Sequence, residues 1–133
     1  MADPEDWFKA AVCGDVEALK SALNSGVDVN VRDEKQNTAL HLATRQAQLN
    51  AMHLLIEHGA DVNAQNNWLS TPLHLTAKNM ESIRILLEAG ANPNITDKDY
   101  DFPYYFAFYG SMTRELTELY IKHGANLMLY PDK

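Results

Sequence analysis

The sequence is short of the features that mark secreted and membrane-spanning proteins. Its single cysteine, Cys13, cannot form an internal disulfide, so a reducing compartment is expected. No apolar run approaches the roughly 20 residues that cross a bilayer. Residues 1–6 are acidic where a signal peptide is basic and then apolar, although a removed signal peptide would leave no trace. We therefore expect a cytoplasmic protein.

Positive charge is also scarce. The 133 residues carry 11 Lys and Arg against 18 Asp and Glu, which gives a formal net charge of -7. Such a chain lacks the cationic surface that phosphate backbones and anionic lipids require, so we expect neither nucleic acid nor membrane as a partner. The apolar fraction of 46% is that of a globular protein with a single domain's worth of core.

The usual signs of an enzyme are missing as well. The chain contains no Walker-type loop, dinucleotide-binding glycine motif or nucleophile elbow. No cysteine-hydrolase motif surrounds Cys13, which ends a short apolar stretch and is interpreted as a packing thiol. The acidic groups Asp33–Glu34 and Asp97, Asp99 and Asp101 fall in predicted loop tips, where solvated turns account for them. We predict no catalytic residue, no metal site and no cofactor.

The five histidines need separate consideration because histidine is the commonest catalytic base and metal ligand. His41 and His74 recur at a fixed interval, so we interpret both as structural residues of a repeat. His58 and His123 each precede a glycine that ends a predicted helix, where positive charge suits the helix dipole. His53 has no Cys or His partner at a metal-ligand spacing.

An internal repeat dominates the sequence. Residues 38–42 read Thr-Ala-Leu-His-Leu, and residues 71–75, at an offset of 33, read Thr-Pro-Leu-His-Leu. The same offset separates Gly26 from Gly59 and Asn30 from Asn63. A unit of this length cannot bury a core alone, so neighbouring units must stack.

The motifs at residues 71–75 (TPLHL), 59–64 (GADVNA) and 90–94 (GANPN) resemble those of the ankyrin repeat family. The resemblance covers about residues 5–126 and implies an all-α solenoid of about four helix-turn-helix units joined by hairpin-like loops. We expect a single domain over residues 1–133, with repeats at about 1–32, 33–65, 66–96 and 97–133, the first and last acting as caps.

Local signals place the helices of the first three units. Pro4 begins a helix, Asp15 caps the next one, and Gly26 ends it. Residues 27–31 are expected to be extended. Thr38 and Thr71 cap the first helices of units two and three. Unit three is two residues shorter than unit two, and we expect a pinched turn between its helices, around Asn79–Met80.

The fourth unit departs from the pattern because residues 100–109 hold seven of the twelve aromatic residues. Tyr104 and Phe106 are expected to replace Leu73 and Leu75 in the core, and the surplus to reach the groove or the open end. Thr117 occupies the place of Leu19, Met52 and Ile83, and a polar residue there suits a terminal repeat.

The resemblance also implies that partners bind to the loop tips and the exposed edges of the first helices. Trp68 stands out at a loop tip, where it is either an exposed hot spot or folded back onto a neighbouring loop. The predicted partner-binding residues are Glu34, Lys35, Asn37, Arg45, Gln46, Asn67, Trp68, Ser70, Lys78, Asn79, Lys98, Asp99, Asp101, Phe108 and Tyr109.

The sequence thus favours a non-catalytic module that binds another protein through a concave face, with Asp97, Asp99 and Asp101 favouring a basic partner surface. One alternative is an inhibitor or immunity-type protein that blocks an enzyme's active site. A second is a structural module that self-associates through its C-terminal repeat. Asn63 and Asn94 resemble ankyrin-repeat asparagines that hydroxylases modify, although a side chain that bonds its own turn is the stronger interpretation.

Overall fold

The structure, a computed structural model, describes residues 4–77, 79–104 and 113–126. These residues form six α-helices, one 3₁₀ helix and no strand. The helices are α1 (Pro4–Cys13), α2 (Val16–Asn24), α3 (Ala39–Arg45), α4 (Leu49–Glu57), the 3₁₀ helix (Pro72–Leu75), α5 (Met80–Glu88) and α6 (Arg114–Lys122). The predicted all-α class is confirmed.

The helices pack in two layers. The first helices of successive segments contact one another in one layer, from α1 through α3 to the 3₁₀ helix. The second helices form the other layer, from α2 through α4 and α5 to α6. The residues that hold the layers together are fully buried and apolar, and they come from the first three segments: Trp7, Leu19, Leu40, Met52, Leu55, Leu73, Ile83 and Leu86. Each segment therefore completes its core only against its neighbours, as the repeat predicts.

The helix boundaries follow the local signals in most places. Pro4 is the first residue of α1, and Asp15 caps α2 by accepting a hydrogen bond from the Ala18 amide at 3.1 Å. Gly26 has the left-handed φ of 97° predicted for a helix end. The prediction of an extended segment at residues 27–31 is wrong, because the Asp28 carboxylate accepts from the Asn30 amide and folds the chain into a turn.

The shortening of the third segment lies elsewhere than predicted. The first helix is reduced from seven residues in α3 to a four-residue 3₁₀ helix. The chain then turns at Ala77 (φ 51°), as it does at Ala47 (φ 54°) in the second segment. Asn79 serves as the N-cap of α5 and accepts from the Ser82 amide at 2.9 Å. The missing residues thus come from the end of the first helix, which is shortened to a single 3₁₀ turn.

The aromatic segment is described as far as Tyr104. This side chain is fully buried, stacks on Phe102 with ring centroids 5.2 Å apart, and meets the edge of Tyr120 at 5.6 Å. The prediction that Tyr104 fills the core is confirmed. The remaining predicted aromatic residues, Phe106, Phe108 and Tyr109, lie outside the described residues. Thr117 is partly exposed, whereas the residues at its place in earlier segments are buried.

Asparagine side chains join each segment to the next. The Asn30 amide donates to the Gly59 carbonyl and accepts from the Asp61 amide, and Asn94 makes the same two bonds to Gly124 and Asn126. Asn63 accepts from the Asn92 amide at 2.7 Å. We expected the side chains of Asn63 and Asn94 to bond their own turns, and this expectation is wrong. They couple neighbouring segments, which keeps the loops and helix ends in register.

Candidate protein-binding surface

His41 and His74 are built into the stack rather than offered to a ligand. The Nδ1 atom of His41 accepts from the Thr38 amide at 3.1 Å, so Nε2 carries the proton and donates to the Ser70 carbonyl at 2.9 Å. His74 repeats this arrangement with the Thr71 amide and the Asp101 carbonyl. Burial lowers the pKa of His41 to about 4 and also lowers that of His74. Both rings are therefore neutral, and each links its own segment to the next by a hydrogen bond.

Three loop tips share one design, and we call them the second, third and fourth tips after the segments in which they lie. A side-chain oxygen of Asp33 accepts from the amides two and four residues later, and Asn66 and Asp97 do the same. In each tip the residue three positions on has a left-handed φ: 64° at Gln36, 57° at Leu69 and 64° at Tyr100. A non-glycine residue in this region costs about 1 kcal/mol. The hydrogen bonds thus fix the tips, and each tip keeps one non-glycine residue in a disfavoured left-handed conformation.

The tips are also joined edge to edge. The Asn67 amide donates to the Lys35 carbonyl at 3.0 Å, and the Lys98 amide donates to the Trp68 carbonyl at 2.8 Å. Lys35, Asn67 and Lys98 have exposed side chains on this edge. Trp68 lies among them with 49% of its surface exposed. A half-exposed indole on a rigid edge is an accessible contact residue.

A groove opens beside the first of these tips. It has a volume of about 450 Å³ and lies between α1, α3 and the tip around Lys35. Phe8 from α1 and Leu42 from α3 are partly exposed and supply an apolar floor. Charged side chains of both signs surround that floor: Glu5, Arg32, Asp33, Glu34, Lys35 and Arg45. An apolar floor within a charged margin is the usual composition of a protein-binding site.

This groove unites predicted residues and adds others. Four of the residues predicted to bind a partner line it: Glu34, Lys35, Asn37 and Arg45. Phe8, Leu42 and Arg32 were not predicted, since helical spacing marks Phe8 and Leu42 as core without showing that part of each stays uncovered. Arg32 bridges two tips by donating to the Gln36 and Gln65 carbonyls, at 3.1 and 2.7 Å.

Two predicted contact residues are buried instead, which corrects their assignment to the open surface. Asn37 is 1% exposed because its Oδ1 atom accepts from the Asn66 side chain at 2.8 Å, inside the stacked tips. Asp101 is 8% exposed, and its carbonyl receives the His74 bond. Both residues sit at the end of a tip, where the chain turns back into the core. They support the surface from beneath.

Four of the other predicted residues are at least partly exposed. Gln46 is exposed at the end of α3, Ser70 is partly exposed, and Asn79 is exposed while it caps α5. Asp99 is exposed at the fourth tip. Lys78, Phe108 and Tyr109 lie outside the described residues.

The carboxylates of Asp97, Asp99 and Asp101 each place an oxygen within 4.8 Å of the others. Hydrogen bonds account for this geometry, because the tip at Asn66 has the same design with an amide instead of a carboxylate. The three acids concentrate negative charge at the fourth tip.

Cys13 is exposed at the end of α1, so the prediction of a packing thiol is wrong. The apolar face of α1 is filled by Trp7, Ala10 and Ala11, and Cys13, two residues after Ala11, lies off that face. Within the described ranges, no helix is long and apolar enough to cross a membrane.

Two layers of short helices, with loop tips held in register by a recurring histidine and asparagine, define a helical repeat protein. Residues 7–97 match the family model for ankyrin repeats, which describes three copies. The chain belongs to the ankyrin repeat family. Repeats of this family generally act as protein–protein interaction modules and are generally non-catalytic.

The chain is similar in sequence to three curated relatives. The chain is 30% identical to the human transient receptor potential cation channel subfamily A member 1 over 112 residues, 82% of this chain. It is 41% identical over 44 residues (33% of this chain) to serine/threonine-protein kinase 12 of Arabidopsis thaliana, and 37% identical over 54 residues (41%) to the ankyrin repeat protein YahD of Escherichia coli. The matches span 10% of the channel, 10% of the kinase and 27% of YahD.

Proposed function

We propose that this chain is a non-catalytic module that binds another protein through the face formed by its first helices and loop tips. The observation that carries the proposal is the continuity of that face. The groove floored by Phe8 and Leu42 meets the tip at Lys35, and a backbone hydrogen bond joins that tip to the one that displays Trp68. An apolar groove and an exposed indole thus lie on one edge.

Rigidity favours recognition by this face. The histidine, asparagine and tip hydrogen bonds fix the loops before any partner arrives, so little conformational entropy is lost on binding. Charges of both signs around the groove would orient a partner, and the acids of the fourth tip would favour a basic patch on it. We also propose that residues 1–133 form a single domain of four repeats in the cytoplasm, and that neither nucleic acid nor membrane is a partner.

Charge reversal and truncation on the proposed face test this function. A partner is captured from the native cell with the wild-type chain, and its affinity for Trp68→Ala and Arg45→Glu is then measured by calorimetry. Each change should weaken binding about tenfold or more, because truncated hot spots typically cost 2 kcal/mol or more. The melting temperature should change little, since both side chains are exposed.

Arg84→Glu is the matched control, because Arg84 is an exposed arginine on α5, in the layer away from the groove. It should bind as the wild type does. Equal affinity of Trp68→Ala, Arg45→Glu and the wild type would place the site elsewhere. If the captured partner is an enzyme that loses activity, the module is an inhibitor. If light scattering shows concentration-dependent mass without a partner, self-association replaces the proposal.

A further inference from the structure

Leu69 and Tyr100 combine two unfavourable properties. Each has a left-handed φ, 57° and 64°, at a position where glycine would be relaxed. Each also shows a large apolar side chain to solvent, with 48% of Leu69 and 84% of Tyr100 exposed. The side chains therefore contribute little to the core while their backbone is strained. Strain and exposure at the same residues indicate a role outside the fold itself.

Trp68 links the two tips that carry these residues. It precedes Leu69 in the third tip, and its carbonyl accepts from Lys98 in the fourth tip, two residues before Tyr100. We refer to Trp68, Leu69 and Tyr100 as the apolar ledge. The ledge lies on the edge of the stack, beyond the tip that borders the groove.

Concentrated negative charge adjoins the ledge. Tyr100 stands between Asp99 and Asp101, and the carboxylates of Asp97, Asp99 and Asp101 lie within 4.8 Å of one another. An apolar surface beside clustered carboxylates complements a side chain that is apolar along its stem and cationic at its end. The ring faces of Trp68 and Tyr100 favour the same kind of group through cation–π contact.

We propose that the apolar ledge docks a basic segment of the partner protein. In this arrangement a leucine or aromatic side chain of the segment covers Leu69 and Tyr100, and a neighbouring Lys or Arg reaches the carboxylates of Asp97 and Asp99. The inference rests on the proposed function and names the chemistry of the partner. It also explains why two large side chains persist at strained tip positions.

Glycine substitutions separate binding from stability. Leu69→Gly and Tyr100→Gly each remove a ledge side chain and relax the backbone. The melting temperature should change little, because the relief of about 1 kcal/mol is offset by the greater entropy that glycine gives the unfolded chain. Gln36→Gly is the matched control, because Gln36 has the same left-handed conformation at the tip of the second segment but carries a polar side chain. The probes are short peptides with a central leucine or aromatic residue flanked by Lys or Arg, and a matched set flanked by Glu. Affinity is measured by fluorescence anisotropy.

The proposal requires that the basic peptides bind the wild type, that Leu69→Gly and Tyr100→Gly weaken this binding at least tenfold, and that Gln36→Gly leaves it unchanged. Equal binding of the glutamate set, no binding of either set, or wild-type affinity of both ledge variants would overturn it. So would a dimer that Leu69→Gly dissociates, because a second copy would then occupy the ledge. A captured partner lost by Arg45→Glu and kept by Leu69→Gly would leave the proposed function standing and refute the ledge alone.

Discussion

At the scale of single residues, His41 shows how a reactive side chain becomes a structural one. Both ring nitrogens are engaged, one by the Thr38 amide and one by the Ser70 carbonyl of the next segment. The ring is fully buried, and burial lowers its pKa from 6.5 to about 4. Protonation would place a donor against the Thr38 amide and a charge in the core.

This pKa shift predicts that acid weakens the fold. Between pH 6.5 and 4 the unfolded chain binds a proton at His41 and the folded chain does not, so stability falls as the pH drops through this window. Once the pH is below both pKa values, His41 has lowered the free energy of unfolding by about 3 kcal/mol, at about 1.4 kcal/mol per unit of pKa difference. His74 shifts in the same direction and adds to the loss.

Urea unfolding measured at pH 7 and pH 5 checks the prediction. The stability difference between the two pH values should shrink in His41→Gln, which does not titrate. It should persist in His53→Gln, because His53 is exposed on α4. An unchanged difference in His41→Gln would show that other groups govern the acid response.

At the scale of single elements, α4 and α5 differ in polarity at one buried position. Ala51 in α4 is 1% exposed, and Ser82, at the equivalent place in α5, is fully buried. The Ser82 hydroxyl oxygen has no hydrogen-bond partner within the described part of the chain. A buried hydroxyl without a partner is destabilising, because it loses its hydrogen bonds to water and gains none in the folded protein.

Ser82→Ala should therefore raise the free energy of unfolding by about 1 kcal/mol or more, from removal of that hydroxyl together with better helix propensity. Ser21→Ala on the exposed face of α2 isolates the propensity, which alone is worth a few tenths of a kcal/mol. Chemical denaturation of both variants decides the matter. A gain for Ser82→Ala no larger than that for Ser21→Ala would mean that the hydroxyl finds a partner in solution.

The elements also mark where sequence patterns suffice and where they fail. Thr38, Asp15 and Gly26 act through neighbours within four residues, so their caps and ends could be predicted. The residue count showed that the third segment is shorter. It could not show whether the helix or the turn had lost the residues. The exposure of Phe8 and Leu42 depends on which neighbours cover them, and helical spacing does not contain that information. Asn37 is buried for the same kind of reason, since its partner Asn66 lies in another segment.

At the scale of the whole molecule, the two helix layers have different roles. The layer of second helices, α2, α4 and α5, holds much of the core, while the first helices and tips present the groove and Trp68. Periodicity predicted that the units stack, because repetition itself requires it. It could not predict the groove, because the groove lies between residues of α1, α3 and a loop tip that are distant in sequence.

Hydrogen–deuterium exchange of the chain with and without its captured partner tests this division most directly. Protection on binding should map to residues 32–45, which border the groove, and to residues 66–70, which carry Trp68. The helices α2, α4 and α5 should exchange as they do in the free chain. Protection confined to α2, α4 and α5, with residues 32–45 and 66–70 unchanged, would contradict the account.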